Sequence, residues 1–186
     1  MCEEECYVLP GSTRVKGDSM TYLLDANVFI QAKNLHYGLD FCPGFWNWLV
    51  EKNRVGEVVS IDKVADEINA GQDELTTWVR QQGHGLFRPT DGQVLAQFSQ
   101  VSEWVMAQNY EPAAISTFMQ VADFYLIAHA LVRGDVVVTH EVPANSVKRI
   151  KIPNVCVGLG LGFMTPYEML RREQARFVLR NQGGEL

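Results

Sequence analysis

Asp25 closes the apolar run Tyr22-Leu23-Leu24 and opens Asp25-Ala26-Asn27-Val28-Phe29-Ile30. A carboxylate at the end of a buried strand costs free energy unless it is hydrogen-bonded, faces a cleft or meets a metal. Three more acids follow in comparable settings: Glu67, Asp123 and Glu141. Clustered carboxylates repel one another and resist full ionisation. A hard divalent cation such as Mg²⁺ or Mn²⁺ relieves that repulsion, prefers carboxylate oxygen and keeps several waters. When bound, it polarises a phosphoryl oxygen, lowers the pKa of an attacking water and orients the leaving group. The four acids therefore predict a metal-dependent phosphodiester hydrolase. Asp25, Glu67, Asp123 and Glu141 are the catalytic candidates, with Asp25, Asp123 and Glu141 as metal ligands. Asn27 and Thr139 are expected to support metal-bound water or an acid through hydrogen bonds.

Each acid also has a plainer explanation. Asp25 and Asp123 stand near helix starts, where an Asp can simply cap. Glu67 has Lys63 four residues earlier as a partner for a weak exposed ion pair. Glu141 alone would be a surface-loop acid. The conjunction of the four favours a shared site.

Alternating apolar runs and helical periods place these residues. A strand is predicted at about 21–25, followed by a helix from Asn27. Phe45, Trp48 and Leu49 recur at helical spacing within about 43–54. Glu57-Val58-Val59-Ser60-Ile61 predicts a second strand, and 62–70 a helix ended by Gly71. Residues 72–120 predict several helical segments, broken at Gly83-His84-Gly85, Arg88-Pro89 and Glu111-Pro112. A helix follows at about 121–132, with Gly134 as its cap. Asp135-Val136-Val137-Val138-Thr139 has the unbroken apolar character of a strand buried on both faces. Val155-Cys156-Val157 predicts a shorter strand. Thr165 and Glu168 form a capping-box pattern that opens a last helix at about 166–180. The alternation predicts an α/β fold, a three-layer α/β/α sandwich on a mainly parallel sheet. Sites in such sheets lie beyond the carboxyl ends of the strands, where Asp25 and Glu141 fall.

The chain has 186 residues, enough for one domain with a sizeable core. Residues 1–19 show no sustained period and are expected to be an N-terminal extension, with a single domain over 20–186. Met20 directly precedes the first strand, so translation could begin there. An apolar fraction of 47% argues against wholesale disorder. No apolar run approaches the roughly 20 residues that span a membrane. The opening Met1-Cys2-Glu3-Glu4-Glu5-Cys6 is acidic where a secretion signal is positive, so a cytoplasmic location and no membrane partner are expected. A net charge of −6 disfavours non-specific coating of DNA. Cys2, Cys6, Cys42 and Cys156 contain no CxxC pair and are expected to be free thiols.

Four segments, in order, resemble the motifs of the PIN-domain proteins, of the VapC-like ribonuclease-toxin kind. Tyr22 to Ile30 resembles the opening strand with its Asp-x-Asn. Val64-Ala65-Asp66-Glu67-Ile68 resembles the helical segment with the second acid, matched by Glu67. Ala122 to Ala130 resembles the third motif, led by Asp123. Val137-Val138-Thr139-His140-Glu141 resembles the closing Thr-x-Asp, with Glu where Asp is usual. Similarity runs from Met20 to about Val157 and is greatest to an uncharacterised PIN-like branch with the stretch Lys151-Ile152-Pro153-Asn154-Val155-Cys156. The resemblance implies a PIN-like fold and Mg²⁺- or Mn²⁺-dependent cleavage of RNA, often as the toxin of a toxin–antitoxin pair. RNA, a cognate antitoxin and a second copy of the chain, as a homodimer, are the partners it brings. The 72–120 segment is longer than in compact toxins.

Lys148, Arg149 and Lys151 follow the fourth motif and are the substrate-binding candidates, as phosphate contacts. Arg172, Arg176 and Arg180 are spaced by four and would form a second basic stripe on the last helix. The aromatics Phe41, Phe45, Trp46 and Trp48 fit a core helix, with Trp46 off its main apolar face. His36, His84, His129 and His140 lack metal-ligand spacing, and His140 flanks the acids by sequence alone. Two other functions compete. A haloacid-dehalogenase-like phosphohydrolase also puts an Asp after strand one, but needs a second acid where Asn27 stands. A PIN-like scaffold would bind RNA or protein without cutting.

Overall fold

Short buried strands form the centre of the molecule. The computed structural model describes residues 20–83 and 85–178. Residues 1–19, with Cys2 and Cys6, lie outside that range, as do His84 and Arg180. The first strand, β1 (Tyr22–Leu24), is entirely buried, as are β2 (Val58–Ile61) and β4 (Val136–Val138). Their β-branched and large apolar side chains suit a sheet covered on both faces. Two-residue strands, β3 (Phe87–Arg88) and β5 (Phe163–Met164), complete a sheet of order β3-β2-β1-β4-β5. All of its pairings are parallel. With helices flanking this sheet, the architecture is the α/β/α sandwich expected from the alternation.

The chain leaves β1 toward β2 on one side and later returns to β4 on the other. That reversal makes β1/β4 the switch point, the place where parallel sheets open a crevice. Leu24 pairs with Val138, so the residues that follow, Asp25 and Thr139, emerge side by side.

The helices are α1 (Ala26–Gln31), α2 (Pro43–Arg54), α3 (Asp62–Ala70), α4 (Glu74–Gln82), α5 (Gly92–Met106), α6 (Pro112–Phe118), α7 (Ala122–Arg133), α8 (Ile152–Leu159) and α9 (Pro166–Arg172). A π-turn over Ala32–His36 extends α1. α7 is the hub: α3, α5 and α8 all pack on it. Seven of its residues are buried, which fixes the side Asp123 presents. Gly134 ends α7 in the left-handed region at φ 66°, as expected of a glycine there. Thr165 and Glu168 form the expected capping box.

Four expectations need correction. Residues 155–157 are not a strand but the middle of α8. Ile152, Val155, Cys156 and Leu159 share the 3/4 period of a helix face, which the short β-branched run masked. The last strand is instead β5, held by bonds from Val137 N to Gly162 O and from Thr139 N to Met164 O.

The last helix ends at Arg172. A Schellman turn closes it, with Ala175 N donating to Leu170 O and Gln174 N to Arg171 O. Gln174 takes φ 51° where a glycine would have announced the stop. Arg172 and Arg176 therefore do not share a helical stripe. Trp46 is buried: its Nε1 donates to Tyr37 O at 2.6 Å and its ring packs edge-on against Trp78. Cys42 and Cys156 are free thiols, and burial pushes Cys156 up to about 12.

No single described helix is long and apolar enough to cross a membrane. α6 and α7 pass that test only as a pair bent by 67°, and the apolar side of α7 is buried in the core.

Candidate active site

Asp25 occupies the cap position of α1 without a side-chain capping bond to the N2 or N3 amide. It is 2% exposed. Thr139 Oγ1 donates to Asp25 Oδ2 at 2.8 Å, and Asn27 Nδ2 donates to the same oxygen at 3.4 Å. The Thr139 hydroxyl also accepts from Glu141 N at 3.0 Å. The backbone ties the two strands together at the same level, with Asp25 N donating to Val138 O at 3.0 Å. Burial pushes the Asp25 carboxyl up to about 6; the Thr139 hydroxyl opposes the rise and the Glu141 charge adds to it.

Asp123 comes from the first turn of α7. The amino end of a helix favours an anion. Burial and the charges of Asp25, Glu141 and Glu67 overcome that preference and push Asp123 up to about 7. Glu67 lies on α3 and lines an open cleft with Asn27, Lys63 and Asp123. It is more exposed than its helical face-mates suggested, although partial burial still raises its pKa. Lys63 does not pair with it but reaches Asp66 at 3.6 Å.

Glu141 is held differently. One oxygen accepts from Ile152 N at 2.9 Å, at the start of α8, and the other pairs with Lys151. The fourth acid thus caps a helix and engages one of the expected substrate lysines. Lys148 and Arg149 are exposed and line a cavity of about 310 Å³ with Asp123, Glu141 and Lys151. A third cleft holds Asn27, His140, Glu141 and Lys151. The three clefts share walls: Asp123 lines the first two, Glu141 and Lys151 join the first to the third, and Asn27 joins the second to the third.

The donor set suits a hard divalent cation in part. Asp25 and Asp123 are two oxygen donors that repel one another, beside open polar clefts. Among the described residues no group of three His, Cys, Asp or Glu side chains is placed to hold an ion by itself. Mg²⁺ is commonly held by one or two carboxylates plus water and substrate phosphate, which matches such a pair.

Sequence reasoning left out a cluster beside this site. His36 ends the π-turn, and its Nε2 lies 2.8 Å from Tyr167 Oη. His140 packs against both rings, 5.6 Å from each. Burial and the nearby His36 hold the His140 ring below the usual histidine range. The three residues are far apart in sequence, so no local pattern could have joined them.

A protein-family profile described as Domain of unknown function (DUF4411) matches residues 22–177. The chain belongs to this family. The family's span begins at β1 and ends just past the Schellman turn after α9, so it takes in all four acids. A solved structure described as "Structure of FitAB bound to IR36 DNA fragment" is similar over 88% of this chain and 100% of that chain, at 15% identity and a TM-score of 0.49. No curated protein matches the sequence.

Proposed function

We propose that this protein is a Mg²⁺- or Mn²⁺-dependent ribonuclease that hydrolyses RNA phosphodiester bonds. One observation carries the reading: two carboxylates from different elements, the buried Asp25 and the half-buried Asp123, lie close enough that the charge of Asp25 helps to push Asp123 up. Burying such a pair is costly unless a cation relieves it. Bound there, the cation would polarise the phosphate and acidify a water.

Asp25 and Asp123 would hold it. Thr139 and Asn27 fix the Asp25 carboxylate through their bonds to Oδ2. Glu67 lines the cleft from the α3 side, where its carboxylate can orient water. Glu141 positions Lys151 and the start of α8, and would join the ligands only by giving up Lys151. Lys148 and Arg149 would hold the RNA backbone along the cavity they line with Asp123 and Glu141.

The toxin role, with a cognate antitoxin as partner, belongs to the same reading and rests on the four PIN-like motifs. The test is a cleavage assay on RNA with Mn²⁺, Mg²⁺ or EDTA. Wild type should cut only with metal, and Asp25→Asn should lose at least about a hundredfold in rate. Equal rates for the two proteins would sink the assignment. Metal-independent RNA binding without cleavage would favour the scaffold. Phosphate trapped on Asp25 as an acyl phosphate would favour the dehalogenase-like phosphohydrolase.

A further inference from the structure

Asn27 and Gln31 are four apart on α1 and line the same cleft, which also contains His140, Glu141 and Lys151. Continued α-helical winding would bring residue 34 or 35 onto that side next. The chain instead takes a π-turn, with Tyr37 N donating to Ala32 O at 2.6 Å. Such i→i+5 turns widen the spacing and are frequent at functional sites. The π-turn ends at His36, whose ring meets His140 and Tyr167. His36 Nε2 is fixed by Tyr167 Oη at 2.8 Å, and its ring lies 33° from the His140 plane. Tyr167 meets both imidazoles near edge-on, at 78° and 70°. Of the three, His140 is the member that lines the cleft. It directly follows Thr139, the residue that holds Asp25.

We propose that His140, braced by His36 and Tyr167, is a stacking subsite for the RNA base next to the phosphate held at the carboxylates. This rests on the ribonuclease reading. A half-buried ring braced by two others gives a base a flat partner with little loss of side-chain freedom. Lys151 lines the same cleft, paired with Glu141. Stacking tolerates any base, so the subsite adds affinity and register rather than sequence preference.

The test is fluorescence anisotropy with single-stranded RNA oligonucleotides in EDTA, using wild type, His140→Ala and His140→Phe. A parallel set of oligonucleotides carries one abasic position, moved along the strand. Wild type should lose roughly 5- to 150-fold in affinity at one abasic position and much less elsewhere. His140→Ala should bind intact RNA as weakly as wild type binds that abasic strand, and should show no further loss on it. His140→Phe should restore both affinity and abasic sensitivity, which a purely structural role would not. Cleavage by His140→Ala, measured with Mn²⁺, should show a raised KM with kcat little changed. Abasic sensitivity unaltered in His140→Ala would overturn the subsite while leaving the nuclease standing. The expected abasic pattern in a protein that never cleaves would retain the subsite and remove the nuclease. No binding of RNA by wild type would overturn both.

Discussion

Asp25 shows at the scale of one residue how position and partners set chemistry. A free Asp at the end of a strand caps the next helix readily, but here the carboxylate is held by the side chains of Thr139 and Asn27 instead. The consequence can be measured without a substrate. The Asp25 pKa is about 6 and that of Asp123 about 7 in the folded protein, against about 4 in an unfolded chain. A raised acid binds its proton more tightly when folded. Its contribution to stability is therefore complete below pH ~4 and is lost as pH rises through about 6 and 7. The metal-free protein should be less stable at pH 8 than at pH 5. For Asp25 alone the difference between those two pH values is on the order of 1 kcal/mol. Asp25→Asn, which cannot ionise, should flatten that fall in urea titrations at the two pH values; an unchanged fall would place the strain elsewhere. Thr139→Val should steepen it by about 1–3 kcal/mol, because the hydroxyl bonds best to the ionised carboxylate. Lys33 holds the Asp73 carboxyl low, so that pair weakens only at the acid end and does not obscure this window.

Elements decide what Glu141 does. As a residue it looked like a metal ligand; as part of the β4–α8 connection it receives Ile152 N and pairs with Lys151. α8 has no cap from its own Lys151 side chain, so Glu141 supplies one from ten residues earlier. Glu141→Ala should therefore destabilise the protein by about 1–2 kcal/mol in thermal or urea melts. Glu141→Gln, which can still accept from Ile152 N, should cost less. If Glu141→Ala were neutral, the cap would be incidental and a ligand role would gain weight. The strand expected at 155–157 failed at this same scale. Three residues with β-branched ends carry no reliable period, whereas the eight from Ile152 to Leu159 do. β3 and β5 escaped notice because two-residue strands exist only through pairing with β2 and β4.

At the scale of the whole molecule, charge is the governing quantity. The chain carries −6, and its candidate centre is acidic, so RNA must be drawn by local cations. Lys148 and Arg149 are the exposed pair in the cavity beside Asp123, whereas Lys151 is engaged by Glu141. Replacing Lys148 and Arg149 with Ala should lower the slope of log affinity against log salt by about 0.7 for each phosphate they neutralise. Titrations of a single-stranded RNA across salt concentrations measure it, and an unchanged slope would make the pair a solvated loop. Ligand that binds only the folded state stabilises it by mass action. Mn²⁺ at a hundred times its Kd should thus add about 2.7 kcal/mol to wild type. It should add much less to Asp25→Asn. Equal gains in calorimetric or fluorescence melts would move the metal away from Asp25.

The sequence by itself determined the layers, the three main strands, most helix limits and the four acids in order. These depend on short-range physics: apolar runs, helical period, capping boxes and the left-handed Gly134 are local. It also offered Asn27 and Thr139 as hydrogen-bonding supports, and strand ends that gather at one edge of a parallel sheet bring Thr139 to Asp25. Only the tertiary structure decided which oxygens are free. The engagement of Glu141 by α8, the exposure of Glu67 and the meeting of His36, His140 and Tyr167 each join elements far apart in the chain. Such contacts are set by how helices pack on the sheet and where a π-turn shifts the register, and no single segment encodes that outcome.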